Sequence, residues 1–469
     1  MTRPLSRAPK RWTIGDFARA AGAAGEDDRP FVGVAIDTRE IGPGQVFVAL
    51  RGERTDGHAF LQAAHDAGAG AALIDDRAAT VPAGMRTIVV DDALDALARA
   101  SGAYRAHLRE CGTRVIGVTG SNGKTSTVRL LHAGLRACGL DGTHARKSFN
   151  NSIGVPVTVL SARPTDDYLL CEIGTNAPGE IEVLTRIVVP DIAAITSIGR
   201  AHMEKLGSVA GVAREKSRIL VHAHPGGVGV IPAGVGVLER AIEDAHTPRL
   251  VRVGVPGDAM PDVLINDVRV DASGVSFRAL GVSASLPVPA AHMAQNAGVA
   301  LAIARELGAD LQRAAAGLAQ AEGEPGRLSA REIGVRGGAA TLIDDAYNAN
   351  PDSVLAALET LAAWSLGSGG RRRVAVLGDM FELGEHEAGA HDEVLARVLA
   401  VADVLIGVGE RMASAIERAG QPAIQTCADA AAAGELLSAV ARPGDVILLK
   451  ASRGMGLERV GGAFDDAPA

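Results

Sequence analysis

Aromatic residues are scarce in this 469-residue chain: eight Phe, three Tyr and two Trp make up 3% of it. Its cores must therefore be packed with Ala, Val, Leu and Ile, and a hydrophobic content of 47% is enough to fill them. Cysteine is scarcer still. Cys111, Cys138, Cys171 and Cys427 show no CxxC spacing, which excludes a disulfide scaffold and a cysteine-rich zinc module. Reduced core thiols of a cytosolic protein are expected instead. No run of about 18 apolar residues occurs, and charges and a proline interrupt the basic N-terminus where a signal peptide needs an apolar stretch. Neither export nor membrane insertion is expected, and the expected location is the cytoplasm. Excess positive charge is also missing. Lys plus Arg number 47 against 55 Asp plus Glu, a net charge of −8, and the basic run "RRR" at 371–373 is short. That balance argues against nucleic acid or an anionic membrane as a partner.

What is present is alternation of strand-like and helix-like segments, the pattern of parallel sheets with crossover helices. "FVGVAID", "QVFVAL" and "AALIDD" form a first series, with a helical "AFLQAAHDAGAG" before the last of them. "TRVIGVT", "DYLLCEIG", "DIAAITSIG" and "GVGVIPA" form a second, and "ATLIDDAYN", "RRVAVLGDM", "VADVLIGVG" and "DVILLKAS" a third. Breaks fall at the polar "RECGT" near 109–113 and the Gly/Pro-bearing "AEGEPGR" at 321–327. At roughly 150 residues per domain, such a length accommodates about three. The expected architecture is α/β in three domains, residues 1–110, 111–325 and 326–469. The middle one is expected to be a parallel-sheet domain like that of P-loop ATPases, and the last a Rossmann-like α/β domain. The tail "GGAFDDAPA" is expected to be loose.

The second series opens on "GVTGSNGKTS", residues 117–126. A strand ends at Thr119, glycines let the backbone turn, and "KTSTVRLLHAGLRACGL" continues as an amphipathic helix. Backbone N–H groups of Gly120, Ser121, Asn122, Gly123, Lys124, Thr125 and Ser126 would surround a phosphate there. Lys124 would neutralise it and the Thr125 hydroxyl would reach Mg²⁺. The strict phosphate-loop spacing wants a glycine where Val118 stands, so an ordinary glycine-rich turn is the competing interpretation. Glu172 and His202 end the next strand-like runs, in "CEIGTNAPGEI" and "TSIGRAHMEKLGS". In an open α/β sheet such positions project into the ligand crevice, and two of them beside one phosphate loop suggest a cation site. These residues point to Mg²⁺-ATP and phosphoryl transfer, and a switch, a motor, a kinase and a ligase all remain open.

Seven motifs narrow the field: "TGSNGKTS", "FNNSIGVP", "EIGTNAPGEI", "SIGRAHMEKLGS", "GEPGR", "DDAYNANPDS" and "VLGDMFELG". In order and approximate spacing they resemble the Mur ligase family over about residues 30–460. The last two are similar to the branch that adds D-alanyl-D-alanine to UDP-N-acetylmuramoyl-tripeptide. The resemblance implies an ADP-forming amide ligase of peptidoglycan precursor synthesis, expected as a monomer, that activates the tripeptide carboxylate as an acyl phosphate. Lys124 would contact the ATP phosphates, Thr125 and Glu172 would ligate magnesium, and His202 would join a second magnesium. Lys216 would be carbamylated by CO₂ and support that second metal, although "VAREKSRIL" by itself reads as a solvent-facing helix. Asn296 would contact adenine, where it otherwise reads as a helix-surface amide. Arg327 would reach phosphate and Asp345 the ribose from the third domain.

The same resemblance assigns Thr38, Arg39, Asp56, Gly57 and His58 to the uridine nucleotide, with His58 equally readable as a loop histidine. Asn150 and Asn151 would seat the muramoyl portion, and Tyr347, Asn348 and Asn350 would line the acceptor side; "NANP" otherwise reads as a turn before a helix. "GDMFELG" is expected to help recognise the dipeptide. Several residues depart from the family pattern. Arg200 puts a cation near the expected metal site, able to pair with a carbamate. Ser152 stands where an acid is usual, "GVIPAGVGV" lacks a polar cluster, and "KASRGMGLERV" replaces a KGSR ending. A different Mur-type ligase, a nucleotide switch and a catalytically idle relative are the alternatives.

Overall fold

The computed structural model describes residues 11–464 except 147, 244–247, 272, 367–370 and 463. Residues 465–469 of the expected loose tail, and the basic residues 1–10, lie outside the described residues. The first series forms a parallel sheet ordered β1 (Val34–Ala35), β2 (Val46–Val48), β3 (Ala71–Ile74), β4 (Thr87–Val89). The helix Ala93–Glu110 follows, capped by Asp92, whose side chain accepts the Asp95 N–H. It runs to the edge of the "RECGT" break, and its face shares one core with the second series. Leu97, Tyr104 and Leu108 pack in the same cluster as Val155, Leu160 and Leu184. Each such fully buried side chain contributes about 1.5–3 kcal/mol of apolar burial.

The second series builds a seven-stranded parallel sheet from β5 (Arg114–Thr119), β6 (Gly142–His144), β7 (Tyr168–Glu172), β8 (Ile192–Ile195), β9 (Val228–Pro232), β10 (Arg249–Gly254) and β11 (Val263–Leu264). Its order is β11-β10-β9-β8-β5-β7-β6, so β5 lies between β7 and β8. The chain reverses its direction of travel across the sheet at β5, and the crevice at the C-terminal ends of these strands is where such folds bind ligands.

Two parts of the fold depart from the expected all-parallel pattern, a separate small sheet and an edge hairpin of the third sheet. β12 (Asn266–Asp271), β13 (Gly274–Ala279) and β14 (Val282–Leu286) form a separate antiparallel sheet. Alternate residues of β14 are buried and exposed, the period-two pattern of a half-covered strand; its buried residues pack against the helix Ala291–Glu306 in a shared cluster.

The third series forms a sheet ordered β15-β16-β20-β17-β18-β19: β15 (Ser329–Val335), β16 (Gly338–Asp344), β17 (Arg373–Gly378), β18 (Val404–Val408), β19 (Gln425–Cys427) and β20 (Val446–Lys450). It is parallel except for the edge hairpin β15–β16. Among the described residues no cysteine forms a disulfide. Only Cys171 is fully buried, so the expectation of core thiols holds for that one and the other three are half-buried. Among the described residues no helix is long and apolar enough to cross a membrane.

Candidate active site

β5 delivers the chain into the phosphate loop, and two glycines make the loop sterically possible. Gly123 has φ 83°, and a Cβ there would stand 2.2 Å from Asn296 Oδ1. Gly120 has φ 154°, and a Cβ there would stand 1.9 Å from Thr196 Oγ1. A side chain at either position would fill the cradle. The loop is tied to the end of β8: Asn122 N–H donates to Ser197 Oγ at 2.9 Å, and Ser121 Oγ accepts the Gly199 N–H at 2.9 Å. The helix Lys124–Ala137 begins at the loop's end, so its unpaired N–H groups face the cradle.

Lys124 Nζ donates to Gly120 O at 2.8 Å, folded back over the loop it would serve. Enclosure of the ammonium lowers its pKa from the usual lysine range; Glu172 opposes the shift and Arg327 adds to it. Thr125 Oγ1 donates to Glu172 Oε2 at 2.7 Å. Asn150 Nδ2 donates to Glu172 Oε1 at 2.8 Å, so Asn150 orients the carboxylate at the end of β7. Asn151 Oδ1 accepts the Gly154 N–H at 2.9 Å and so fixes the start of the next helix. Glu172 is 1% exposed.

Thr125 and Glu172 present hard oxygens side by side. Among the described residues no group of three or more His, Cys, Asp or Glu stands together as a ready metal cage. A cation at Thr125 and Glu172 would therefore complete its shell with phosphate oxygens and water. That habit is the one of Mg²⁺ bound with a nucleotide, and these residues fit it.

His202 has φ 56°, a left-handed conformation, and its Nδ1 lies 2.5 Å from Glu382 Oε2 in "GDMFELG". Glu382 O accepts the Glu204 N–H at 2.9 Å, and the bond with His202 holds the Glu382 carboxyl below the usual range. The loop expected to meet a dipeptide thus also grips the histidine turn. Lys216, in the helix Val209–Val221, is 1% exposed, which overturns the solvent-facing interpretation of "VAREKSRIL". One face of that helix covers the sheet while only the other is polar. Burial first, and then the nearby Lys124 charge, push the Lys216 pKa well below the usual lysine range, with Glu215 opposing.

Arg200 finds acids of the third region. Its Nε donates to Asp352 Oδ1 at 2.9 Å, its backbone N–H to Asp352 Oδ2 at 2.7 Å, and its Nη1 pairs with Glu393. Two carboxylates of the third region take up its charge, in place of an anion at Lys216.

Asn296 is buried beside Gly123, not on a helix surface. Arg327 Nη2 donates to Ser148 Oγ at 3.1 Å, and its guanidinium lies 4.0 Å from the Tyr347 ring centre. Asp345 Oδ2 pairs with Lys450 Nζ at 2.6 Å, and the same ammonium donates to Asn348 O at 3.0 Å. Asn350 exchanges amide hydrogen bonds with Asn122. A cavity of about 1260 Å³ joins these groups: Ser121 to Lys124, Ser126, Asn150, Asn151, Glu172 and His202 on one side, and Arg327, Asp345, Tyr347, Asn348 and Asn350 on the other. Asn296 lines it as well.

The five N-terminal candidates stand apart, after the C-terminal ends of β1 and β2. Thr38 starts a short 3₁₀ turn, and Arg39 pairs with Asp37 at 2.5 Å. Gly57 allows close approach, since a Cβ would meet Leu50 backbone at 2.7 Å. His58 is 8% exposed; its Nδ1 lies 2.6 Å from Asp56 Oδ1, and its Nε2 accepts the Asp75 and Asp76 N–H groups at 3.3 Å. It is thus held in place, not loose. Glu382, Asp352, Glu393, Lys450 and Ser148 were not foreseen from sequence. Glu382 and Asp352 lie inside the motifs "GDMFELG" and "DDAYNANPDS", and Lys450 ends the apolar run "DVILLK", but none of these marked which partner each would find.

Models of the Mur ligase middle domain, of the glutamate ligase domain of Mur ligases, and of the Mur ligase family catalytic domain match residues 118–304, 326–453 and 30–105. A Bacillus subtilis UDP-N-acetylmuramoyl-tripeptide–D-alanyl-D-alanine ligase is 35% identical over 446 residues, covering 91% of this chain and 92% of that protein. The chain belongs to the Mur ligase family. The Escherichia coli ligase of the same name is 33% identical over 81% of each chain. Among solved Mur ligases, MurF from Acinetobacter baumannii superposes with a TM-score of 0.82 at 29% identity, covering 97% of this chain and 99% of its own. MurF from Thermotoga maritima in complex with ADP superposes at 0.75 with 26% identity, covering 92% and 96%.

Proposed function

We propose that this Mur ligase joins D-alanyl-D-alanine to UDP-N-acetylmuramoyl-tripeptide with cleavage of ATP to ADP and phosphate, in cytoplasmic peptidoglycan precursor synthesis, acting as a monomer. The observation that carries this is the one cavity shared by the phosphate loop and the segment Asp345–Asn350. It gives a nucleotide and an acceptor amine a common space, and the names of relatives aligned over most of both chains support the substrate pair.

A carboxylate is a poor electrophile until one oxygen becomes a good leaving group. The tripeptide's terminal carboxylate would take the γ-phosphoryl group of ATP, releasing ADP. The dipeptide amine then attacks the carbonyl carbon, the C–O bond to phosphate breaks with the electron pair leaving on phosphate, and the amine gives up its proton to the departing phosphate. Lys124 neutralises transferred charge, and Thr125 and Glu172 would hold Mg²⁺. When bound, that ion supplies further neutralisation of the phosphates. His202 and a carbamylated Lys216 would serve a second magnesium. Arg327 and Asp345 would hold the phosphate and ribose, Asn296 the adenine, and Asn150 and Asn151 the muramoyl side. Thr38, Arg39, Asp56, Gly57 and His58 would take the uridine nucleotide, and Tyr347, Asn348 and Asn350 the dipeptide. Bringing both walls of the cavity together excludes water from the acyl phosphate.

Purified protein with ATP and UDP-N-acetylmuramoyl-tripeptide, with and without D-alanyl-D-alanine, tests the proposal. ADP and a pentapeptide product are expected only with both substrates. Steady ADP release without the dipeptide, or equal use of L-alanyl-L-alanine, would overturn it.

A further inference from the structure

The turn between β8 and the short helix Met203–Leu206 is pinned to the third region by Arg200. Asp352 meets it from the first turn of the helix Pro351–Leu366, receiving both the Arg200 N–H at 2.7 Å and its guanidinium at 2.7 Å. Glu393, in the helix Glu387–Val401, engages the guanidinium's other edge. One planar cation thus bridges two acids on different helices, a fork geometry that lysine cannot reproduce. Gly199 makes the approach possible, since a Cβ there would stand 2.4 Å from Asp352 Oδ2. The pinned turn also holds His202 and contacts the phosphate loop through Ser121.

We propose that Arg200 is a positioning residue that latches the third region onto the central one, setting the closed arrangement in which the nucleotide cavity has both its walls. The bridge is part-exposed, with side-chain exposures of 31%, 35% and 45% for Arg200, Asp352 and Glu393. Salt should therefore weaken it. It is a property of the folded chain whatever the acceptor substrate, so it is tested without catalysis.

Small-angle scattering of the full-length protein in 50 mM and 500 mM NaCl, together with titration by ADP·Mg²⁺, reads it. Arg200→Glu should enlarge the radius of gyration and weaken ADP affinity about tenfold, and Arg200→Gln should do the same to a smaller degree. The double variant Arg200→Glu/Glu393→Arg should recover only part of both, because Asp352 still faces the new carboxylate. Gly199→Ala should open the protein while leaving the arginine in place. Circular dichroism and melting confirm that each variant is folded; the milder Arg200→Gln decides the matter where Arg200→Glu is not. A scattering profile and ADP affinity in Arg200→Gln equal to the parent's at both salts, or no recovery in the double variant, would overturn the latch.

Discussion

Asn122 in the phosphate loop and Asn350 ahead of the helix Pro351–Leu366 donate to each other's side-chain oxygens, at 3.3 and 2.8 Å. The pair ties the third region to the phosphate loop, because each amide supplies one donor and one acceptor to the other. Asn350 Oδ1 also accepts the Ser353 N–H at 2.9 Å, so this residue starts its helix as well as touching the loop.

Asn350→Asp separates those two roles. The carboxylate keeps the helix-start acceptor but loses the donor, leaving Asn122 Oδ1 opposite an oxygen. A lost buried hydrogen bond of this kind costs about 1–2 kcal/mol. Steady-state kinetics should show kcat/KM for ATP down by that amount, with Tm close to the parent. An unchanged kcat/KM would show that the pair does not communicate with the nucleotide.

Lys124→Ala removes an enclosed cation whose pKa burial already depresses, with Arg327 adding like charge. Its loss should therefore leave the fold as stable as before or slightly more so. The transition state loses a phosphate contact of about 3–4 kcal/mol. Ligase turnover and a thermal melt check both halves of the statement; near-normal turnover would remove the phosphate-loop assignment.

Lys216 sits 1% exposed where burial and the Lys124 charge favour the neutral amine. The neutral form is the one that attacks CO₂, so an environment that makes an ammonium costly would leave the amine open to the proposed carbamylation. Lys216→Ala should lose nearly all ligase activity and regain part of it with acetate or formate. Carbon-13 bicarbonate should give a carbamate resonance in the parent that the variant lacks. Parent-like turnover of Lys216→Ala in carbonate-free buffer would leave the residue a mere packing lysine.

His132 predicts a pH dependence away from the site. Its Nδ1 is 2.9 Å from the Tyr168 hydroxyl, and its ring centre is 4.2 Å from that of His144. Burial first, then His144 and Arg136, against an opposing Asp141, pull its pKa from 6.5 down to about 4. Between those values the unfolded chain binds a proton that the folded chain does not, so stability falls as pH falls from 6.5 toward 4. Solvent screening of the half-buried ring reduces the effect to about 1–2 kcal/mol. His132→Gln keeps a polar partner for Tyr168 and should flatten urea-derived stability over that interval. An equally steep slope in the variant would assign the dependence to other groups.

The parallel strands were legible because each is a short apolar run bounded by turn residues, as in "TRVIGVT" and "DYLLCEIG". The phosphate loop was legible for a similar reason: its chemistry depends on glycines and a lysine adjacent in the chain. The antiparallel sheet of β12 to β14 escaped notice because its polar alternation carries no long apolar run.

Residues close in space but far apart in sequence were decided only by the tertiary structure. Local composition marked Lys216 as exposed and Asn296 as a surface amide; burial came from the sheet and loop packed against their helices. Arg200 finds Asp352 and Glu393 more than 150 positions away, and His202 finds Glu382 across 180. The sequence by itself determined strand, loop and helix because neighbouring residues set backbone geometry and amphipathic pattern. Which charge neutralises which was set by the closure of two sheets on one cavity, since Coulomb attraction and desolvation depend on distance through space and not along the chain.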